Sequence, residues 1–148
     1  MKVKIKKMND KAVIPTRGSS SAAGYDLYAA IDDGRKSFVI DPHSTIKVGI
    51  GLAMEIPEGY FGAIYARSGL ATKQGLRPAN CVGIIDSDYR GEIAVALHND
   101  SDEPKAIANG DRIAQLVIQS YLSVEFDEVD DLNCTDRGTG GFGSTGKN

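Results

Sequence analysis

The sequence predicts an all-β domain, and three observations carry that prediction. Apolar residues alternate with period 2 in several short runs, turn-forming residues separate those runs, and no amphipathic helix of three turns occurs. The first strand is expected at Val3 to Ile5 and the next at Phe38 to Ile40, with Asp33-Gly34 before it and Asp41-Pro42 after it as turns. The clearest alternation runs from Thr45 to Ile56, where Ile46, Val48, Ile50, Leu52, Met54 and Ile56 share one face; it predicts one long strand. Pro57-Glu58-Gly59 turns the chain into a strand at Phe61 to Tyr65. A single short helix follows: Ser68 is placed to cap Gly69 to Gln74, and Gly75 supplies a left-handed stop. Gly83 to Ile93 reads as a hairpin with a polar tip, and strands follow at Glu92 to Leu97 and Ile113 to Ile118. Between those two lie the polar cluster Asn99 to Pro104 and the turn Asn109-Gly110. The expected architecture is an all-β sandwich, barrel or jelly roll of short strands.

The chain's 148 residues and 15.8 kDa suit one domain. We expect a β domain over 1–124 and, over 125–148, an acidic arm leading to a glycine-rich tail. From Glu125 to Asp131 five of the seven residues are acids, a composition typical of a solvated connector. No run approaches the ~20 apolar residues of a membrane helix, and the basic start Met1 to Lys7 lacks the apolar segment of a secretory signal, so a cytoplasmic location is expected. Cys81 and Cys134 are too few for a disulfide framework and too far apart for a paired-cysteine metal site; His43 and His98 read as structural. A net charge of −3, from 17 basic and 20 acidic residues, argues against binding a nucleic acid polymer. Glycine is in surplus: 17 residues, about 11%, where ~7% is usual.

Three segments carry chemistry. In the tail, Gly141, Gly143 and Gly146 fit the spacing of a dinucleotide fingerprint, and Gly146-Lys147 nearly completes a Walker A loop. Both patterns work only at the start of a following helix, and none follows. What survives is a glycine and hydroxyl segment around Arg137, suited either to close backbone approach to phosphate or to a linker; the aromatic Phe142 weighs for the former. Arg67-Ser68-Gly69, at a strand-to-helix junction, reads as a small anion site or an ordinary capped turn. The tip of the hairpin gathers Asp86, Asp88, Tyr89 and Arg90.

Five segments occur in order: Ala23-Gly-Tyr-Asp-Leu-Tyr-Ala-Ala30, Ala66-Arg-Ser-Gly-Leu-Ala71, Gly83-Ile-Ile-Asp-Ser-Asp-Tyr-Arg-Gly91, Gly110-Asp-Arg-Ile-Ala-Gln-Leu-Val117 and Arg137-Gly-Thr-Gly-Gly-Phe-Gly-Ser-Thr-Gly146. Together they resemble the motifs of the homotrimeric all-β dUTPases, over residues 23 to 146. One departure is Ala66, where the family usually has proline.

The resemblance implies hydrolysis of dUTP to dUMP and pyrophosphate by water attack on the α-phosphorus, limiting uracil in DNA and supplying dUMP for thymidylate synthesis. It implies Asp86 as the general base, a role worth ~10²–10⁴-fold, and Tyr89 as the residue under the deoxyribose that leaves no room for a 2′-hydroxyl. Asn80 and the backbone of Gly83, Ile84, Ile85 and Asp86 would read uracil. Arg67, Ser68, Gly69 and Gln115 would hold phosphates, and Arg137, Phe142, Gly143 and Ser144 would close over the substrate. Mg²⁺ is expected on the substrate's phosphates rather than on protein ligands, with Asp26 a candidate contact to its water shell. The family's homotrimer implies sites shared between subunits. Two rivals are a dCTP deaminase and a regulatory module that keeps the site as a switch.

Overall fold

A computed structural model describes residues 1–80 and 82–141, so Cys81 and the predicted tail contacts Phe142, Gly143 and Ser144 lie outside the described residues. Among the described residues the chain forms β1 (Lys4–Lys7), β2 (Tyr25–Tyr28), β3 (Ser37–Ile40), β4 (Thr45–Gly49), β5 (Leu52–Glu55), β6 (Tyr60–Tyr65), α1 (Ser68–Gln74), β7 (Leu76–Pro78), β8 (Gly83–Ile85), β9 (Ala94–Asn99), β10 (Lys105–Ala108) and β11 (Arg112–Ser120). All pairings are antiparallel. One sheet runs β2-β11-β6-β8, a second β4-β9-β7, and the ribbons β1-β5 and β10-β3 flank them. The all-β expectation with one short helix holds.

Side chains from both sheets meet in one apolar core that includes Leu27, Ile40, Val48, Ile50, Leu52, Leu76, Ile93, Leu97 and Ile113. Asn99, fully buried at the end of β9, ties three carbonyls together: its amide donates to Ile40, Asp41 and Glu103, and its Oδ1 accepts from Ser101. A buried amide with every group paired fixes the loop after β9 without leaving an orphaned dipole.

Three expectations change. The long strand from Thr45 to Ile56 is two strands, broken at Gly51, which takes φ +65°. A Cβ there would lie 2.8 Å from Asn9 Oδ1 and 2.9 Å from the Ala12 methyl, so both conformation and space demand glycine. The break lets β4 pair with β9 while β5 pairs with β1. Alternation persists through it, since Val48, Ile50, Leu52, Met54 and Ile56 are all buried. Second, Gly83 to Ile93 is not a hairpin: β8 pairs with β6 in one sheet and β9 with β4 and β7 in the other. Third, Ser68 is the first helical residue rather than the cap. The extended Arg67 occupies the cap position, with no side-chain cap bond, and Gly75 ends the helix at φ 67° as expected.

Strands β2, β7 and β10 are short and carry no long alternation to announce them. Strands β2 and β7 pair with β11 and β9 at the edges of the two sheets, and β10 pairs with β3.

Candidate functional site

The structure gathers the predicted residues into two separate places. One is a cleft of about 530 Å³ whose walls include Gly24, Asp26, Arg67, Ser68, Gly69, Arg112 and Gln115. The sheet β2-β11-β6 builds it. Gln115 lies across from Asp26 on one side and Tyr65 on the other, and Arg67 leaves the end of β6 just before α1.

Asp26 organises this cleft. Its Oδ1 accepts from Arg67 Nε at 2.7 Å and its Oδ2 from Arg112 Nη1 at 3.2 Å. The carboxylate is only 15% exposed and Arg67 24%, so this ion pair is largely shielded from water. With Nε committed, the Arg67 side chain is held in one orientation; Nη1 makes a long contact to the Arg112 carbonyl. Gln115 donates to the Ala66 carbonyl at 2.8 Å, and its Oε1 fills the space a Cβ at Gly24 would need, 2.5 Å away. The carbonyl at position 66 is a backbone group that proline would also present. Two cations against one carboxylate leave the cleft electropositive, as an oligophosphate requires.

Arg112 is the cleft residue that pattern reading overlooked. In a straight strand Arg112 and Gln115, three apart, point to opposite faces. The register of β11 against β2 shifts between Arg112 and Ala114, a bulge that brings both side chains to the same cleft. Ile113 and Ala114 are consequently buried in succession. Only the occurrence of Arg112 within the fourth segment pointed to it.

The second place is the loop after β8. Ile84, Ile85, Asp86 and Tyr89 line a smaller hollow of about 170 Å³ with Lys47, Glu92 and Ala94. Asn80 packs beside Gly83, where a Cβ would sit 3.2 Å from its amide nitrogen. The loop closes on itself: Tyr89 N–H donates to the Asp86 carbonyl, Tyr89 Oη to the Glu92 carbonyl at 3.0 Å, and Arg90 to the Ser87 and Tyr89 carbonyls. Asp86 is exposed, and among the described residues no hydrogen bond or ion pair engages its carboxylate. It is thereby free to accept a proton or orient a water.

These two places are far apart within one chain. Ile85 lies across from Gly62, so Asp86 falls opposite Phe61. From Phe61 the backbone runs extended to Arg67, itself at φ −83° and ψ 128°. At ~3.3 Å per residue those steps amount to roughly 20 Å along the backbone.

Among the described residues, 125–141 line neither place. No residue from 121 to 139 is buried, and Phe126, Leu122 and Leu132 are 97%, 88% and 87% exposed. Arg137 donates to the Gly140 carbonyl within its own turn. Among the described residues no helix is long and apolar enough to cross a membrane.

Comparison with known proteins bears on this arrangement. The sequence matches the dUTPase family over residues 10–146. A deoxyuridine 5′-triphosphate nucleotidohydrolase of Nautilia profundicola is 49% identical over 147 residues, covering 99% of this chain and 100% of that protein. Among solved structures, a mutant dUTPase of Staphylococcus bacteriophage 80alpha with dUpNHpp matches at a TM-score of 0.87 and 28% identity, covering 98% of each chain. A mutant dUTPase from phage phi11 of S. aureus, a structure described for the coordination of a structural Mg(II) ion, shares the fold at a TM-score of 0.78 and 24% identity, covering 90% of this chain and 100% of that one.

Proposed function

This chain belongs to the dUTPase family, and we propose that it hydrolyses dUTP to dUMP and pyrophosphate at sites that neighbouring subunits of a homotrimer complete between them. The observation that carries the shared site is the distance of roughly 20 Å separating the Asp86 loop from the arginine cleft. In this reading the general base and the phosphate clamp acting on one triphosphate come from two copies. The exposed apolar side chains of the arm favour the same reading, because such residues in series are ordinarily covered by a partner.

In this reading Arg67, Ser68, Gly69 and Gln115 of one subunit hold the phosphates. From a second, Asn80 and the backbone from Gly83 to Asp86 take the uracil edge. Tyr89 lies against the sugar and excludes a 2′-hydroxyl. Asp86 accepts a proton from the attacking water as its oxygen bonds to the α-phosphorus, and the bond to the bridging oxygen breaks to release pyrophosphate. A third subunit's tail brings Arg137 toward the γ-phosphate and Phe142, Gly143 and Ser144 over the substrate. Buried groups placed for uracil would go unpaired against cytosine, which rejects dCTP.

The donor set fits Mg²⁺ carried by the substrate. Asp26 already accepts from two arginines, yet each oxygen keeps a lone pair for a metal-bound water. When bound, the ion would neutralise charge on the phosphates.

The test combines an assay and a mass. Purified protein given dUTP or dCTP with Mg²⁺ should release pyrophosphate from dUTP alone, and its solution mass should be three times 15.8 kDa. Ammonia from dCTP would favour a deaminase, tight nucleotide binding without turnover a regulatory role, and an active monomer would remove the shared site.

A further inference from the structure

We propose that Glu92 is a positioning residue for the sugar-facing wall of the site, and so sets discrimination between deoxyribo- and ribonucleotides. The proposal rests on the reading above that Tyr89 faces the sugar. Glu92 works at both of its ends. Its backbone carbonyl accepts from Tyr89 Oη at 3.0 Å, while its side-chain Oε1 accepts from the Gly51 N–H at 3.0 Å. The tyrosine hydroxyl is therefore tied, through one residue, to the kink between β4 and β5.

That kink is a firm anchor. Gly51 is buried with its left-handed φ, and the same stretch is stitched to the loop's far end by Ile50 N–H to the Ile93 carbonyl at 3.1 Å and Ile93 N–H to the Leu52 carbonyl at 2.8 Å. Two glycines make the arrangement possible. A Cβ at Gly49 would lie 2.5 Å from Glu92 Oε1, and one at Gly91 would lie 2.5 Å from Tyr89 Oη and 2.7 Å from its ring carbon. Glu92 and Tyr89 each occupy the space where a neighbour has no side chain. Without the Glu92 anchor, residues 86–91 keep their internal bonds but lose their side-chain tether to the sheet, and the ring can tilt away from a 2′-hydroxyl.

The experiment compares kcat/KM for dUTP and UTP in the full-length protein and in Glu92→Gln, Glu92→Ala, Gly49→Ala and the double variant, with Tm measured for each. Glu92→Gln keeps an oxygen acceptor and should match the wild type. Glu92→Ala should lower the dUTP to UTP ratio about tenfold, the size of one hydrogen bond's net contribution. Gly49→Ala evicts the carboxylate without altering residue 92, where any other contact of the new methyl is farther away, and should lower the ratio similarly. The double variant should fall no further than Glu92→Ala, since both act through the same carboxylate. An unchanged ratio, or equal loss on both substrates, overturns the proposal. If Glu92→Ala does not fold, Gly49→Ala decides. Kd values for the two nucleotides give the same ratio without turnover, so a wild type that binds but does not hydrolyse dUTP overturns the hydrolase reading while leaving Glu92 testable.

Discussion

Replacing Asp26 by asparagine keeps the side chain's shape and removes its charge, which isolates the carboxylate's hold on the arginine cleft. Asparagine retains one oxygen, so one guanidinium keeps an acceptor while the other faces an amide N–H. The Arg67 limb matters most: at 2.7 Å and with side chains 24% and 15% exposed, a charge-assisted hydrogen bond of this kind contributes ~1.5–3 kcal/mol. The Arg112 limb is longer, at 3.2 Å, and its arginine is 53% exposed, so screening reduces it to about 0.5 kcal/mol or less. The combined loss of ~2–3 kcal/mol corresponds to roughly 30- to 150-fold in kcat/KM for dUTP. Pyrophosphate release at substrate concentrations below KM reads this directly, with Tm as the control for folding. Activity within threefold of wild type at unchanged Tm would refute the idea that Asp26 orients Arg67.

Asp86→Asn should retain binding of a nonhydrolysable dUTP analogue while turnover falls ~10²–10⁴-fold; near-normal turnover would remove Asp86 as the base. Deleting residues 137–148 should leave Tm unchanged, because none of the described residues it removes, 137–141, is buried, and should cost roughly ten- to hundredfold in activity through the lost Arg137 contact. Full activity after deletion would dismiss the tail as a lid. Asn99→Asp points a carboxylate at the carbonyls of Ile40, Asp41 and Glu103 and should destabilise by ~2–4 kcal/mol in denaturant titration; a loss near zero would mean the loop rearranges. The Lys4 ammonium, bonded to Glu55 across β1 and β5, holds that carboxyl below its ordinary pKa. Its contribution to stability is therefore present above the unfolded carboxyl's pKa and is lost as pH falls through the folded value. NMR titration should show the Glu55 pKa rising in Lys4→Ala, and an unmoved value would break that assignment.

Local pattern made much of this molecule legible. The even-numbered apolar series marked core residues correctly from Val48 to Ile56, even across the break at Gly51, with Ile46 partly buried against them. Facing is a property of alternate residues and tolerates a kink that keeps the count. Helix α1 and its glycine stop were equally plain, since both are set within one turn. Partner choice was not plain. Gly83 to Ile93 has hairpin composition, yet β8 pairs with β6 in one sheet and β9 with β4 and β7 in the other.

By itself the sequence determined the all-β class, the apolar face of its longest alternating segment and the family, because each follows from residue type and spacing along the chain. Tertiary structure alone decided the site's arrangement. A bulge in β11 turned Arg112 toward Asp26, the Gly51 N–H found the Glu92 carboxylate, and the extended run of β6 held the Asp86 loop away from the arginine cleft. The physical reason is common to all three. Each depends on where one strand lies against another, and that register is fixed by packing between distant segments rather than by any residue's own preference.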